Sequence, residues 1–254
     1  MIFEDLKGKV VIVTGGGKGI GKVYVREFAK QGSKVVAADI DYEATKRVAE
    51  EFGTIGGEIL PIEVDVSDWN SVSRMLEATV KEFGGVDVLV NNASLMSALP
   101  RRAWDQIPIE EWDRVMAVNV RGPFLCCLAS VPHMKQRGKG KIINISSSRV
   151  HDGTPNRLHY TTSKAAIIGF TRALARELGD FNISVNAVTP GLTASDTQVA
   201  STKPEHVQAS VASRCFKRVQ VPEDLVGTVL FLASSASDFI TGQTINVDGG
   251  RSMH

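Results

Sequence analysis

Tyr160 and Lys164 stand four residues apart, and Ser147 lies 13 residues before the tyrosine. Four apart on a helix puts both side chains on one face. A phenol is a poor base at its ordinary pKa of about 10, but a neighbouring ammonium stabilises the phenolate and brings that value toward working pH. Ser147 falls just beyond an expected strand, where a hydroxyl can point into the crevice that binds ligands in open α/β sheets. Together the three offer a base for a hydroxyl proton and a polar cradle for the alkoxide, which removal of hydride from an alcohol requires. Spacing alone does not carry this. Tyr42 and Lys46 repeat it, with Ala29 at the serine's position and no binding loop nearby, and read as a solvated face of the second helix.

A hydride needs an acceptor, and the N-terminal region is built for one. The first expected strand runs into Thr14-Gly-Gly-Gly-Lys-Gly-Ile-Gly21 and then a helix. Gly15, Gly17, Gly19 and Gly21 would let the backbone turn tightly against a pyrophosphate. The helix start, with Lys18 and Ile20, would offer N–H groups and partial positive charge. The glycines fall as Gly15-xxx-Gly19-x-Gly21, not as the GxGxxG of the usual fingerprint. Asp39 ends the second strand, where a carboxylate accepts from both adenosine ribose hydroxyls and repels a 2′-phosphate. It is otherwise a turn residue before Asp41, itself a candidate helix cap. Lys18 pulls toward NADP; the carboxylate outweighs it, so NAD is the expected cofactor. Asp65 and Val66 follow the third strand and would meet the adenine, although Asp65 equally suits a cap for the next helix.

These residues need a scaffold. Lys9–Thr14, Lys34–Ala38, Ile59–Val64, Val86–Val90, Lys141–Ile145, Ile183–Val188 and Thr244–Val247 read as strands. Residues 18–32, 42–53, 68–83, 109–137, 157–180 and 222–233 read as helices between them. Short apolar runs alternating with helices demand a mostly or wholly parallel sheet with helices on both faces. The expected fold is a single Rossmann-like, doubly wound α/β domain over residues 1–254. Leu192 to Ser213 reads as an irregular loop with a short helix over the site.

The bulk properties exclude other classes. A formal net charge of +1 gives no long-range attraction for nucleic acid or anionic membrane. The basic run Lys135 to Lys141 suits a helix C-terminus in water. Cys126, Cys127 and Cys215 show no disulfide framework, the first two reading as packed thiols. No signal peptide is visible and no run of about 18 apolar residues exists, so a cytoplasmic protein without a membrane span is expected. The five histidines are scattered without metal-ligand spacing.

The ordered motifs Thr14-Gly-xxx-Gly-x-Gly21, Asn91-Asn-Ala93, Val118-Asn-Val120, Ser147, Tyr160-xxx-Lys164 and Pro190-Gly191 resemble the short-chain dehydrogenase/reductase family over essentially the whole length. The resemblance implies that Tyr160 is the acid and base, that Lys164 tunes it and holds the nicotinamide ribose, and that Ser147 bonds the substrate oxygen. It also implies that Asn119 holds a water relayed through Lys164. The other reading of Asn119 is a helix-interior amide satisfied by backbone. Asn91 and Ala93 are assigned near the adenosine, and Pro190, Gly191 and Leu192 beside the nicotinamide. Ser94 and Ser195 depart from the family's usual Gly and Thr.

The family also implies a homotetramer paired through the helices at 109–137 and 157–180. Selectivity is expected from Ser94–Leu99, Ser148–Asn156 and the loop after Gly191. Within these, Arg149 could clamp a carboxylate or phosphate and His151 could bond a ring hydroxyl, unless both face solvent or a subunit interface. Several stretches, Phe239–Thr244 and His254 among them, are similar to family members acting on pyridoxal or aryl ethanols, which implies a cyclic or aromatic alcohol. A 3-oxoacyl-carrier-protein reductase using NADPH and a non-catalytic nucleotide-binding protein are the competing expectations.

Overall fold

The computed structural model describes residues 2–96, 99–199 and 203–253. Seven strands form its centre: β1 (Val10–Thr14), β2 (Lys34–Asp39), β3 (Ile59–Glu63), β4 (Val88–Asn91), β5 (Gly140–Ile145), β6 (Ile183–Pro190) and β7 (Thr244–Val247). They lie in the order β3-β2-β1-β4-β5-β6-β7, and every neighbouring pair is parallel. The apolar runs explain this arrangement. Successive residues of a strand face opposite sides, so Val11, Val13, Ile143 and Ile145 enter one core while Ile12 and Ile142 enter the other.

Helices α1 (Gly19–Lys30), α2 (Tyr42–Phe52) and α10 (Glu223–Ala233) cover the first face through Tyr24, Phe28, Val48, Leu225 and Val229. The second face is covered by α3 (Trp69–Phe83), α5 (Gly122–Gln136) and α7 (Leu158–Leu178), through Val72, Met75, Cys126, Met134 and Leu178. Short or peripheral helices complete the chain: α4 (Ile109–Met116), α6 (Arg149–Asp152), α8 (Asp196–Val199) and α9 (Pro204–Ala212).

Strand order reverses between β1 and β4, which leaves a crevice at their C-terminal ends. The expected helix 109–137 is α4 and α5 joined by a π-helical turn, Ala117–Arg121. This continuous helix is long and apolar enough by length and mean hydropathy to cross a membrane, despite lacking an unbroken apolar run. Cys126, Cys127, Ser130 and Met134 on it are buried against the sheet side, as in a core helix. Tyr42 and Lys46 are exposed on α2, which begins at its Asp41 cap. Within the basic run Arg137 pairs with Asp87, Lys139 and Lys141 pair with Asp238, and Lys135 lies over the Phe181 ring.

Ile143 sits at the centre of β5 with 1% of its surface exposed. Ile143→Ala is expected to cost about 2–5 kcal/mol, because the rigid sheet cannot collapse into the hole. A urea midpoint lowered at unchanged slope is the expected result.

Candidate active site

A cavity of about 820 Å³ lies along the crevice. At one end the loop after β5 meets the first turn of α7. Two hydrogen bonds fix this junction: Lys164 Nζ donates to Ile145 O at 2.8 Å, and Ser146 Oγ donates to Lys164 O at 2.7 Å. Tyr160 is thereby held beside Ser147, whose hydroxyl favours the phenolate form of the tyrosine. Both are buried, and Leu99 and Val115 pack with the tyrosine. The three residues singled out by spacing therefore line one cavity.

The electrostatics differ from the expectation. Burial raises the Tyr160 phenol, while Ser147, Arg149 and Arg157 pull it back down, in that order. Lys164 lies over the Tyr160 ring. Its Nζ is 5.8 Å from the ring centroid, and burial brings the amine down to about 7.

At the other end the glycine loop passes under β4. Gly15 has a φ of +65°, and a Cβ on it would come within 2.9 Å of Ala93 Cα; a Cβ on Gly21 would land on the Gly15 carbonyl oxygen. The loop is therefore closed on itself, leaving the first-turn N–H groups of Ile20 and Gly21 without partners in the helix. Lys18, Gly19, Ile20 and Gly21 line the cavity. Gly17 does not; its N–H donates to Asp39 Oδ2 at 3.1 Å and so aims that carboxylate. Asp39, Asp65 and Val66 line the same end. Lys18 is paired with Asp41, which draws its charge away from the nucleotide site. Asp65 accepts from the Ser67 N–H and hydroxyl, and the helix cap is Asp68, which accepts from Asn70 and Ser71. This cradle, with its free N–H groups and a carboxylate at the end of β2, fits a dinucleotide.

Three expected site residues are placed otherwise. Asn91 is buried in the sheet, donating to Asn144 Oδ1 at 2.9 Å, and its neighbour Asn92 lines the cavity while donating to Thr14 O. The amide of Asn119 anchors the loop after β4: Oδ1 accepts from Leu95 N, and Nδ2 donates to Leu95 O and Ser163 Oγ, which leaves one lone pair of Oδ1 for a further donor. His151 on α6 is not among the described cavity-lining residues, whereas Arg149 is. The reason is helical geometry, since residues two apart on a helix point to different sides.

Pro190, Gly191, Leu192 and Ala93 line the cavity as expected. Gly191 N donates to Val247 O, and Leu192 O accepts from Arg214. The expected selectivity loop Ser94–Leu99 includes Ser97 and Ala98, which, like residues 200–202 and His254, lie outside the described residues. Sequence reasoning missed two contributors. Asp196 Oδ1 accepts from Gly19 N at 2.8 Å, tying α8 to the glycine loop, and Arg157 lines the cavity beside Tyr160. Asp196 gave no local signal, because its partner is 177 residues away. Among the described residues no cluster of three or more His, Cys, Asp or Glu could hold a metal ion.

Comparison with known proteins agrees with this geometry. Residues 15–252 match the family model described as enoyl-(acyl carrier protein) reductase. A probable galactose dehydrogenase from Rhizobium meliloti is 39% identical over 250 residues, spanning 98% of this chain and 96% of the relative. A 3-oxoacyl-acyl-carrier-protein reductase from Thermotoga maritima is 38% identical, spanning 96% of this chain and 98% of the relative. The crystal structure of a 3-ketoacyl-(acyl-carrier-protein) reductase from Brucella melitensis complexed with NADH superposes with a TM-score of 0.90 at 34% identity, covering 98% of this chain and all of that one.

The Lys164 amine carries a testable consequence. Its folded value of about 7 lies below its unfolded value of 10.5. Folding therefore expels a proton between those pH values, and the destabilisation is full at or below pH 7 and gone above 10.5. Lys164→Met is expected to raise the urea midpoint of the cofactor-free protein at pH 7, with the gain shrinking as pH climbs toward 10.5. A gain that did not vary with pH would contradict a buried, strained ammonium.

Proposed function

The chain belongs to the short-chain dehydrogenase/reductase family, and we propose that within it this oxidoreductase is an NAD-linked dehydrogenase of a small alcohol, with Tyr160 as acid and base. The observation that supports this best is the convergence of Ser147, Tyr160 and Lys164 on one cavity wall, with the Lys164 amine anchored to the end of β5. A bound nicotinamide would supply the hydride acceptor for oxidation of the carbinol carbon, or the donor for reduction of the carbonyl. Tyr160 in its phenolate form takes the hydroxyl proton at Oη, and in the reverse direction gives that proton to the carbonyl oxygen. Ser147 donates to the same oxygen and steadies its negative charge. Arg149 and Arg157 favour the phenolate that the oxidation needs, opposing the effect of burial.

Gly15, Gly19, Ile20 and Gly21 would hold the pyrophosphate against α1, and Pro190, Gly191 and Leu192 would border the nicotinamide. Asp39 is the support for NAD over NADP. Gly17 N–H and Asp41 N–H hold its two carboxylate oxygens, and Lys18, the nearby cation, is engaged by Asp41. Leu95, Met96 and Leu99 around Tyr160 suit a cyclic or aromatic alcohol. The free thiols of Cys126, Cys127 and Cys215 suit a cytoplasmic setting. Phe124 and Leu128, each 50% exposed on α5, suit pairing of that helix in a homotetramer.

A 3-oxoacyl thioester reductase is the second reading, favoured by the relatives of that name. The Brucella melitensis enzyme was crystallised with NADH, so Asp39 does not argue against it. NAD-linked oxidation of pyridoxal-type and aryl alcohols, cyclic diols and hydroxyacyl thioesters separates the two.

Tyr160→Phe is expected to lower turnover by about 10²–10⁴-fold while leaving NADH affinity, read by fluorescence titration, within a few-fold. Undiminished turnover would overturn the mechanism, and NADH binding by the unmodified protein with no turnover of any substrate would favour a binding protein. Asp39→Ser is expected to raise the NADP/NAD ratio of kcat/KM by about tenfold or more, because it removes the charge that repels a 2′-phosphate. An unchanged ratio would move the origin of cofactor choice elsewhere.

A further inference from the structure

The carboxylates lining the cavity are confined to one end. Its two carboxylates, Asp39 and Asp65, sit at the adenosine end, after β2 and β3. Around Tyr160 the lining carries Arg101, Arg149, Arg157 and Arg251. Arg251 is paired with Asp152 at 2.8 Å, and Arg101 is exposed. The remaining two are not neutralised: among the described residues, no carboxylate lies within ion-pair distance of Arg149 or Arg157.

Their hydrogen bonding is incomplete as well. Arg157 is only 8% exposed; Nη2 donates to Leu99 O at 2.9 Å and Nη1 to Met96 Sδ, while its buried Nε finds no acceptor among the described residues. Arg149 makes one long contact, Nη1 to Thr154 O at 3.5 Å. Burial lowers both guanidinium pKa values, and for Arg157 the charge of Arg149 lowers it further. Two half-solvated like charges held together are unfavourable unless an anion joins them. The cofactor's phosphates do not supply it, because the cradle that fits them is on α1, at the other end of the crevice.

We propose that the substrate carries an oxyanion group, a carboxylate or a phosphate, which Arg149 and Arg157 bind while its hydroxyl or carbonyl meets Ser147 and Tyr160. A guanidinium presents donors in a planar fork that matches either group. This rests on the alcohol dehydrogenase reading and narrows it from any small alcohol to an acidic one. Arg157 also holds Met96 and Leu99, which would place the anion beside those two residues.

The test uses the NAD-loaded protein and matched pairs. 4-(1-Hydroxyethyl)benzoate is compared with its methyl ester, and 4-(1-hydroxyethyl)phenyl phosphate with 4-(1-hydroxyethyl)anisole. In parallel, benzoate, phenyl phosphate and benzamide are titrated into the NADH complex and followed by fluorescence. The expected result is at least a tenfold preference for the charged member in kcat/KM and in binding. The pair with the larger ratio identifies carboxylate or phosphate.

Arg149→Gln should shift the pH profile for charged and neutral substrates alike, because the phenolate loses a supporting charge, and should in addition erase the preference through KM and Kd of the charged probes; Arg149→Lys should restore part of it. Equal binding of benzamide and both anions overturns the proposal even if turnover is brisk. So does an Arg149→Gln variant that keeps the charged-over-neutral ratio in KM and Kd while its pH profile shifts, since that marks support of the phenolate only. Anion-selective binding without turnover of either pair supports the anion site and counts against the alcohol reading, so the two failures are distinguishable.

Discussion

The reciprocal pair of hydrogen bonds between residue 164 and the end of β5 is the joint on which the site depends. Ser146 reaches the Lys164 carbonyl while the Lys164 amine reaches the Ile145 carbonyl, so helix and strand are locked in both directions. Without that lock, Tyr160 on the helix and Ser147 on the strand's extension would have no common register. The joint exists because β5 is central and buried over its whole length, which makes its C-terminal end a rigid platform. Rigidity matters because catalytic groups displaced by an ångström lose much of their effect.

The joint carries a conflict that the fold does not relieve. A lysine and a tyrosine are both taken out of water, where each is pushed toward its neutral form. A structure optimised for stability alone would place apolar side chains there. Strained ionisable groups in a cleft are what acid–base chemistry uses, and here they coincide with the cavity wall. The same tension recurs in Arg149 and Arg157, whose charge favours the phenolate while no carboxylate among the described residues lies within ion-pair distance of either.

The relatives give this geometry its context. Proteins named as a galactose dehydrogenase and as 3-oxoacyl-acyl-carrier-protein reductases share close to two fifths or a third of its residues over nearly the full chain. One scaffold thus serves substrates as different as a sugar and an acyl thioester, as expected when function resides in the side chains around a fixed core. The residues that would distinguish this chain are Arg149 and Arg157, on the short segment between β5 and α7, and those of the loop after β4.

The sequence by itself determined the seven parallel strands, because strands buried on both faces must be apolar runs, and all seven were legible to within about two residues at each end. It also determined the glycine loop, the carboxylate after β2 and the Ser147, Tyr160 and Lys164 set, whose meaning lies in local spacing. Only the tertiary structure decided that Asn92 and not Asn91 meets the cavity, since neighbours on a strand point to opposite faces and the spacing does not say which. It also decided that the Asn119 amide binds Leu95 and Ser163, that Asp196 reaches Gly19, and that Arg157 stands beside the phenol. Each of these depends on a partner brought near by folding, and neither side-chain direction nor a distant partner is written in local sequence.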